Sequence, residues 1–291
     1  MGLEIKEKIT RRQALGTAGV AVVAAAAATT LKTAAAAQAP KRDAPRWVMV
    51  IDLRKCIGCR ACTISCKTEN GVPIGNWQTV VQENMYGTFP NTKKSFVPVL
   101  CNHCEGNEKD KIPPCVKICP EYPIDRRVYV TPDGKKIRYR DGATYKRPDG
   151  LILIDNSKCI GCGKCIKACP YGVRSFNPLL RAGKKPEENG ISKCDFCRHR
   201  VDNGVEPSCV NTCQGRARIF GDINDPDSEV SKLAKKYDLL HHRDKSTLQP
   251  DFKKYPDYTY PHVFYIDPDN ILKPGYNRKT DNLDHFRDEI T

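Results

Sequence analysis

The sequence predicts an α+β fold that is rich in loops and poor in long helices. Two observations predict it. The 291 residues include sixteen cysteines, and these fall into four groups of four with none left over. Short segments rich in β-branched and aromatic residues lie directly before or after the groups, as strands do when they hold a loop in place. Little sequence is left for long helices.

Five β-rich segments flank the cysteine groups. They cover residues 47–51, 96–100, 151–154, 173–176 and 217–220. The order of strand, cysteine loop, short helix and strand is that of ferredoxin-like domains. We therefore expect two such modules, each holding two cysteine groups, to stack, with an extended C-terminal tail beyond them.

The first and third cysteine groups share one spacing, in which two, two and three residues separate the cysteines. Their members are Cys56, Cys59, Cys62 and Cys66, and Cys159, Cys162, Cys165 and Cys169. Three thiolates so spaced wrap three corners of a cubane cluster, and the fourth points toward a second cluster. Gly58, Gly161 and Gly163 stand where the chain must pass close to sulfide. Zinc sites usually pair two separated knuckles, and disulfides between such near neighbours are strained. These two groups predict iron–sulfur clusters.

The second and fourth groups have a wider gap in the middle and, taken alone, also fit zinc knuckles. Their members are Cys101, Cys104, Cys115 and Cys119, and Cys194, Cys197, Cys209 and Cys213. Each group ends with the same spacing as the other two and supplies four ligands. Every ligand position is filled by cysteine, so we expect four [4Fe–4S] clusters, with their iron bound by these sixteen residues, and no three-iron cluster.

Residues 1–37 are typical of a twin-arginine export leader. Arg11 and Arg12 precede a weakly apolar, alanine-rich run at 13–31, and cleavage is expected near Ala36 or Ala37. The alternatives are an ordinary secretory signal or an N-terminal anchor. A twin-arginine leader exports proteins already folded, which favours metal ligands over disulfides. It predicts a protein on the extracytoplasmic, periplasmic face of the membrane, with membrane association only through a partner.

The net charge of +14 would ordinarily suggest a nucleic-acid partner. The predicted leader carries five basic and two acidic residues, which leaves +11 on the rest. A cubane with four thiolate ligands carries about −2, so four clusters bring roughly −8. The basic excess is thus largely balanced by cluster charge, and no nucleic-acid partner is expected.

The motifs together resemble a known family, the four-cluster ferredoxin-like β subunits of molybdopterin oxidoreductases and of Nrf- and Dsr-type respiratory complexes. The stretches that carry the resemblance are residues 56–70, 114–120, 149–155, 159–171, 193–200 and 221–226. It implies a molybdopterin catalytic subunit, an NrfD-like membrane quinone subunit, or both, as partners, and a multihaem cytochrome as a further candidate.

The resemblance also implies which thiolates share a cluster, because in this family each pair of groups exchanges its last cysteine. We name the four implied ligand sets 1 to 4. They are Cys56, Cys59, Cys62 and Cys213 (set 1); Cys66, Cys194, Cys197 and Cys209 (set 2); Cys101, Cys104, Cys115 and Cys169 (set 3); and Cys119, Cys159, Cys162 and Cys165 (set 4).

The implied domain plan inserts one module into the other. Residues 46–97 with 188–228 would form the first module, 98–187 the second, and 229–291 a tail that contacts a partner. Two stretches depart from the family pattern, the charged residues 105–111 and an extra hairpin within 121–141, turned at 132–134. The hairpin is either a docking lobe for a partner or a solvated decoration.

Three histidines are candidates for a metal-binding or a structural role. His241 and His242, after a helix expected at 229–240, are either a metal pair or an exposed helix end, and His199 is expected to support the fold. The sequence has no haem-attachment, Walker or dinucleotide motif and no nucleophile–base pair. We expect a non-catalytic electron-transfer subunit, serving anaerobic respiration of sulfur compounds or related acceptors. The alternative is a zinc-rich structural or nucleic-acid-binding module.

Overall fold

The computed structural model describes residues 44–86, 89–107, 109–121, 125–237 and 259–267. The predicted leader at 1–37 and the pair His241 and His242 lie outside these ranges. Within them, no helix has the length and apolar character needed to cross a membrane.

Eleven strands are present in the described residues. In chain order β1 to β11 they are Trp47–Asp52, Thr79–Tyr86, Lys93–Leu100, Asp125–Val130, Lys136–Asp141, Thr144–Lys146, Ile152–Ile154, Ser175–Ala182, Lys185–Ser192, Arg218–Asp222 and Val263–Ile266. One sheet has three strands in the order β10, β1, β11, and four further sheets are pairs of sequence neighbours. All four pairs are antiparallel hairpins.

The α-helices are few and mostly one turn long, as expected. In chain order α1 to α6 they are Ala61–Asn70, Pro114–Lys117, Lys164–Lys167, Arg198–Val201, Ser208–Asn211 and Glu229–Tyr237. The four short ones are too short to be stable alone and depend on the packing around the cysteine groups, each of which runs from a loop into a helix.

Strand β1 is the centre of the structure because it is buried on both faces. Its residues Val48 and Val50 pack with α6 and β11, while Met49 and Ile51 face the larger core that contains several cysteines. Side chains alternate between the faces of a strand, so the apolar run at 47–51 fills two cores at once. The strand predicted there is confirmed.

The extra hairpin is present as β4 and β5, paired across the turn at 131–135. On one face, Tyr139 stacks on Tyr145 with ring centroids 6.0 Å apart, and the Arg147 guanidinium lies 5.1 Å from the Tyr129 ring centroid. On the other face, Val128 remains half exposed. The hairpin is therefore anchored on one side and uncovered on the other.

Part of the expected C-terminal tail belongs to the chain's own core. Strand β11 runs parallel to β1, and the His262 carbonyl accepts from the Met49 amide at 3.0 Å while the His262 amide donates to the Asn102 carbonyl at 2.8 Å. The Tyr265 hydroxyl donates to the Pro98 carbonyl at 2.8 Å. Residues 259–267 thus join the first β-strand to the second cysteine group.

Two boundaries of the expected domain plan fall inside strands. The division between 97 and 98 lies within β3, and the division between 187 and 188 lies within β9, which pairs with β8. The segment of β9 begins with a polar run, so its sequence carries no alternating apolar signal. Its backbone pairing with β8 makes it a strand.

We expect Val230→Ala to destabilise the chain by about 2 kcal/mol, because it removes two buried methyl groups and leaves a cavity under α6. Val230 is fully buried among the side chains of β1 and β11. The apparent unfolding temperature, measured without oxygen, should fall by about 4–8 °C. Val205→Ala, at an exposed valine, is the matched control and should change it by much less. Equal shifts in the two variants would contradict this packing role.

Candidate metal centres

All sixteen cysteines lie in the described residues, and none forms a disulfide. Only Cys59 and Cys162 are exposed, and each belongs to one of the two groups with the close spacing. The other fourteen are buried or half-buried. A thiol can stay free in such surroundings, but a set of thiolates needs donors or cations to balance its charge.

The first and third cysteine loops are shaped by glycines that lie close to side chains of neighbouring strands. Gly58 and Gly161 have φ of 71° and 68°, a left-handed conformation that favours glycine. A Cβ at Gly58 would overlap the Phe96 ring, and one at Gly161 would overlap Glu188. The hairpins β2–β3 and β8–β9 therefore close over these two loops, one over each.

In set 1, burial raises the pKa of Cys56, and the charges of Cys62 and Cys213 raise it further. The Ala217 amide donates to Cys213 Sγ at 3.3 Å. Cys213 is far from the other two in the sequence, yet near enough to act on the same titration. Cys59, the fourth member, faces solvent.

In set 2, all four cysteines are buried. Burial raises the pKa of Cys66 to about 12, with contributions from Cys209 and Cys197, and it raises the pKa of Cys194 well above its ordinary value, with contributions from Cys66 and Cys209. The Asn70 amide nitrogen lies 3.6 Å from Cys66 Sγ and 3.5 Å from Cys197 Sγ. A single neutral donor on α1 thus serves thiols from two different groups.

In set 3, burial raises the pKa of Cys104 well above its ordinary value, and the charges of Cys101, Cys115 and Cys169 add to the effect. Burial likewise raises the pKa of Cys169, and Cys101 again contributes. Thiols from the second and third groups therefore act on one another.

In set 4, burial raises the pKa of Cys119, and the charges of Cys165 and Cys162 contribute. Burial raises the pKa of Cys159 as well, with contributions from Cys165, Cys119 and Cys162. The Gly161 amide donates to Cys159 Sγ at 3.3 Å. Set 4 thus has three cysteines of the third group and one of the second, whereas set 3 has three of the second and one of the third.

Neighbouring sets also act on one another. Burial raises the pKa of Cys209 in set 2 to about 11, and Cys62 of set 1 contributes. The charge of Cys101 in set 3 contributes to the raised pKa of Cys194 in set 2. Sets 1 and 2 are thus adjacent, and so are sets 2 and 3.

Two buried arginines lie among the thiols, and neither was predicted from the sequence. Arg174 donates to Cys115 Sγ at 3.1 Å, and Arg218 donates to Cys209 Sγ at 3.6 Å. Burial alone would lower the pKa of Arg174, but Cys115 in set 3 and Cys165 in set 4 raise it overall. Their positions in the sequence could have identified them, since each arginine follows the last cysteine of a group by five residues.

The side chain of His103, which was also not predicted from the sequence, lies beside sets 2 and 3. His103 is fully buried next to Cys104, and its ring stacks on Phe196 with centroids 3.8 Å apart. Its Nδ1 accepts from the Ile152 amide at 3.0 Å. His199, by contrast, lies at the surface and pairs with Glu69 of α1 at 2.7 Å.

The residues present fit cubane clusters. The four cysteines of set 4 line one cavity together with the apolar side chains of Ala143, Ile154, Ile160 and Ile191. Soft thiolate donors in an apolar pocket suit iron–sulfur chemistry. In the part of the chain that the structure describes, no three His, Cys, Asp or Glu side chains are grouped to hold a single metal ion. A four-iron core needs its thiolates farther apart than one zinc ion does.

Comparison with family models agrees with this chemistry. Residues 92–223 match a 4Fe–4S dicluster domain, and residues 47–68 match a 4Fe–4S binding domain. Both are iron–sulfur domains, so the zinc alternative is not supported. With sixteen cysteines in four groups, the cofactors are four [4Fe–4S] clusters.

Comparison with curated proteins finds subunits of reductases. A selenate reductase subunit of Mesobacillus selenatarsenatis is 40% identical over 65% of this chain, a match that covers 64% of that protein and so just under two thirds of its length. A tetrathionate reductase subunit of Salmonella typhimurium is 37% identical over 78% of this chain and 74% of its own. The arsenate respiratory reductase iron-sulfur subunit of a Shewanella species is 36% identical over 75% of this chain and 94% of its own. The chain therefore belongs to the family of [4Fe–4S] subunits of reductase complexes, which transfer electrons and are not catalytic themselves.

Proposed function

We propose that this chain carries electrons along a line of four clusters, held in order by sets 1 to 4. The observation that carries the proposal is the mutual influence of cysteines from distant groups. Cys213 acts on Cys56 in set 1, and Cys119 acts on Cys159 in set 4. The charge of Cys101 also acts on Cys194, which links set 3 to set 2.

The exposure of the cysteines supports a line with two accessible ends. Cys59 of set 1 and Cys162 of set 4 are exposed, whereas set 2 is fully buried and set 3 has no exposed cysteine. Electrons can enter or leave only where a cluster comes close to a partner. The two outer sets have that access.

We propose further that one double-cluster module is inserted in the other. Strand β1 pairs with β10, and Glu69 of α1 binds both His199 and Arg200, so the first and fourth groups are held side by side. Arg174 spans from Cys115 to Thr144 of β6, which supports a similar link between the second and third groups.

We infer the partners from the names of the relatives of this chain. Their names include reductases of selenate, tetrathionate and arsenate. We propose a molybdopterin catalytic subunit at one end and an NrfD-like membrane quinone subunit or a multihaem cytochrome at the other. The acceptor would be a sulfur compound or a related oxyanion, and the complex would lie on the extracytoplasmic face.

We propose that the outer face of the β4–β5 hairpin contacts one of these partners. Val128 and Val130 are 51% and 54% exposed on that face. Lys136 and Arg138 lie directly opposite them in the register and are also exposed. An apolar pair bordered by basic residues suits a partner surface that is apolar and acidic.

The ligand sets are tested by double substitutions. Cys56→Ala with Cys213→Ala should remove the signal of one cluster from the electron paramagnetic resonance spectrum of the reduced protein, because both residues belong to set 1. Cys56→Ala with Cys66→Ala should remove two, because these residues belong to sets 1 and 2. The second variant is the matched control, since it also removes two cysteines. If each group instead held its own cluster, the first variant would lose two cluster signals and the second variant only one.

Export is tested in the leader. Arg11→Lys with Arg12→Lys should leave the chain in the cytoplasm with its clusters intact, because twin-arginine export requires the arginine pair. Lys6→Arg with Lys8→Arg changes two basic residues of the same segment and should have no effect. Cell fractionation measures the outcome, and normal export of the first variant would exclude the twin-arginine route.

The hairpin contact is tested by affinity purification from native membranes. Lys136→Glu with Arg138→Glu should lower partner recovery at least tenfold, since it reverses two charges at the proposed contact. Lys232→Glu with Lys235→Glu makes the same charge change at exposed positions of α6 and should retain the partners. Unchanged recovery with the hairpin variant would make the hairpin a solvated decoration.

A further inference from the structure

Arg218 opens β10 with its side chain almost completely buried, at 2% exposure. One terminal nitrogen donates to Cys209 Sγ at 3.6 Å, and the other donates to Thr79 Oγ1 at 2.7 Å. The Nε–H, although buried, has no hydrogen-bond acceptor within the described residues. A buried donor without an acceptor is rare in folded proteins, and the sulfur-rich cluster beside Cys209 would supply one.

Arg174 repeats this arrangement after the third cysteine group. It is 4% exposed, donates to Cys115 Sγ at 3.1 Å and also contacts Thr144 Oγ1 at 3.4 Å. Both arginines follow the last cysteine of a group by five residues, and both bind a threonine that begins a strand. Repetition of the same contacts in two places indicates a common role.

Both arginines keep their charge in the interior. An arginine side chain stays protonated in proteins even when it is buried. Cys209 belongs to set 2, and Cys115, which accepts a hydrogen bond from Arg174, belongs to set 3. The cations therefore contact the two inner sets. In the outer sets, backbone amides, which are neutral, donate to Cys213 and Cys159.

We propose that Arg218 and Arg174 raise the reduction potentials of the two inner clusters, those of sets 2 and 3. A cluster becomes more negative by one charge when it is reduced, so a nearby cation stabilises the reduced form more than the oxidised form. Hydrogen bonds to sulfur act in the same direction, and both are known levers on cluster potential. Burial alone would do the opposite, because it disfavours the more highly charged form.

As a consequence, the two buried inner clusters, those of sets 2 and 3, can still be reduced. Without the arginines, the two clusters farthest from solvent would be the hardest to reduce and would impede transfer between the ends. This inference rests on the proposed ligand sets, but its test is separate. The cysteine variants ask which thiolates share a cluster, whereas the arginine variants must keep all four clusters and change only their potentials.

The test is redox titration of the full chain, monitored by electron paramagnetic resonance. Arg218→Gln should make the reduction of one cluster at least tenfold less favourable, a midpoint lower by about 59 mV for one electron. Arg174→Gln should lower the midpoint of a different cluster by a similar amount. The double variant should show both shifts, because each arginine donates to a cysteine of a different set.

Two further variants control for charge and folding. Lys235→Gln removes one positive charge from an exposed position of α6 and should leave all four midpoints unchanged. Arg218→Lys keeps the cation but not the planar fork, so it should lower the same midpoint by less than Arg218→Gln does. If Arg218→Gln loses a cluster, Arg174→Gln provides the same test at the other inner cluster. Four clusters with unaltered midpoints in a folded Arg218→Gln or Arg174→Gln would overturn the proposal.

Discussion

Sixteen thiolates, fourteen of them buried or half-buried, must remain charged when they hold the clusters, and most of the architecture follows from this requirement. A buried charge needs donors or cations close by. The chain supplies backbone amides, such as those of Gly161 and Ala217, the side-chain amide of Asn70, and two buried arginines. Burial nevertheless raises the pKa of Cys66 and of Cys104, so these two thiols are neutral at pH 7 when the clusters are absent. Thiolate and cluster are therefore stabilised together.

The same requirement explains why helices are short and hairpins numerous. Backbone amides of irregular loops are free to point at sulfur, whereas the interior of an α-helix commits its amides to its own carbonyls. The loops in turn need a cover. Hairpins β2–β3 and β8–β9 provide it, each lying against the glycine of one cysteine loop. The remaining support comes from β1, whose two buried faces connect the cluster-bearing core to the layer formed by α6 and β11.

The C-terminal segment shows how a polar, irregular sequence can be structural. Residues 259–267 add a parallel strand to β1, and the Tyr171 hydroxyl meets Thr259 Oγ1 at 2.9 Å. Parallel pairing needs a partner strand that is distant in sequence. The four apolar or aromatic residues of β11 are too few to predict such a pairing from the sequence. The sequence suggests a tail that contacts a partner because nothing in its local pattern identifies the strand it will join.

The spacing of the first and third groups alone determined that they bind iron–sulfur clusters, because three thiolates in one short loop can reach one cluster whatever the rest of the chain does. The strands at 47–51 and 96–100 were likewise predictable, since their apolar runs are local signals. Only the tertiary structure brought Cys213 near Cys56 and Arg218 near Cys209, and only it placed β9 and β11 in sheets. These contacts depend on how distant segments cross. The sequence specifies which atoms can bind a cluster, and the fold decides which of them meet and which cations stand beside them.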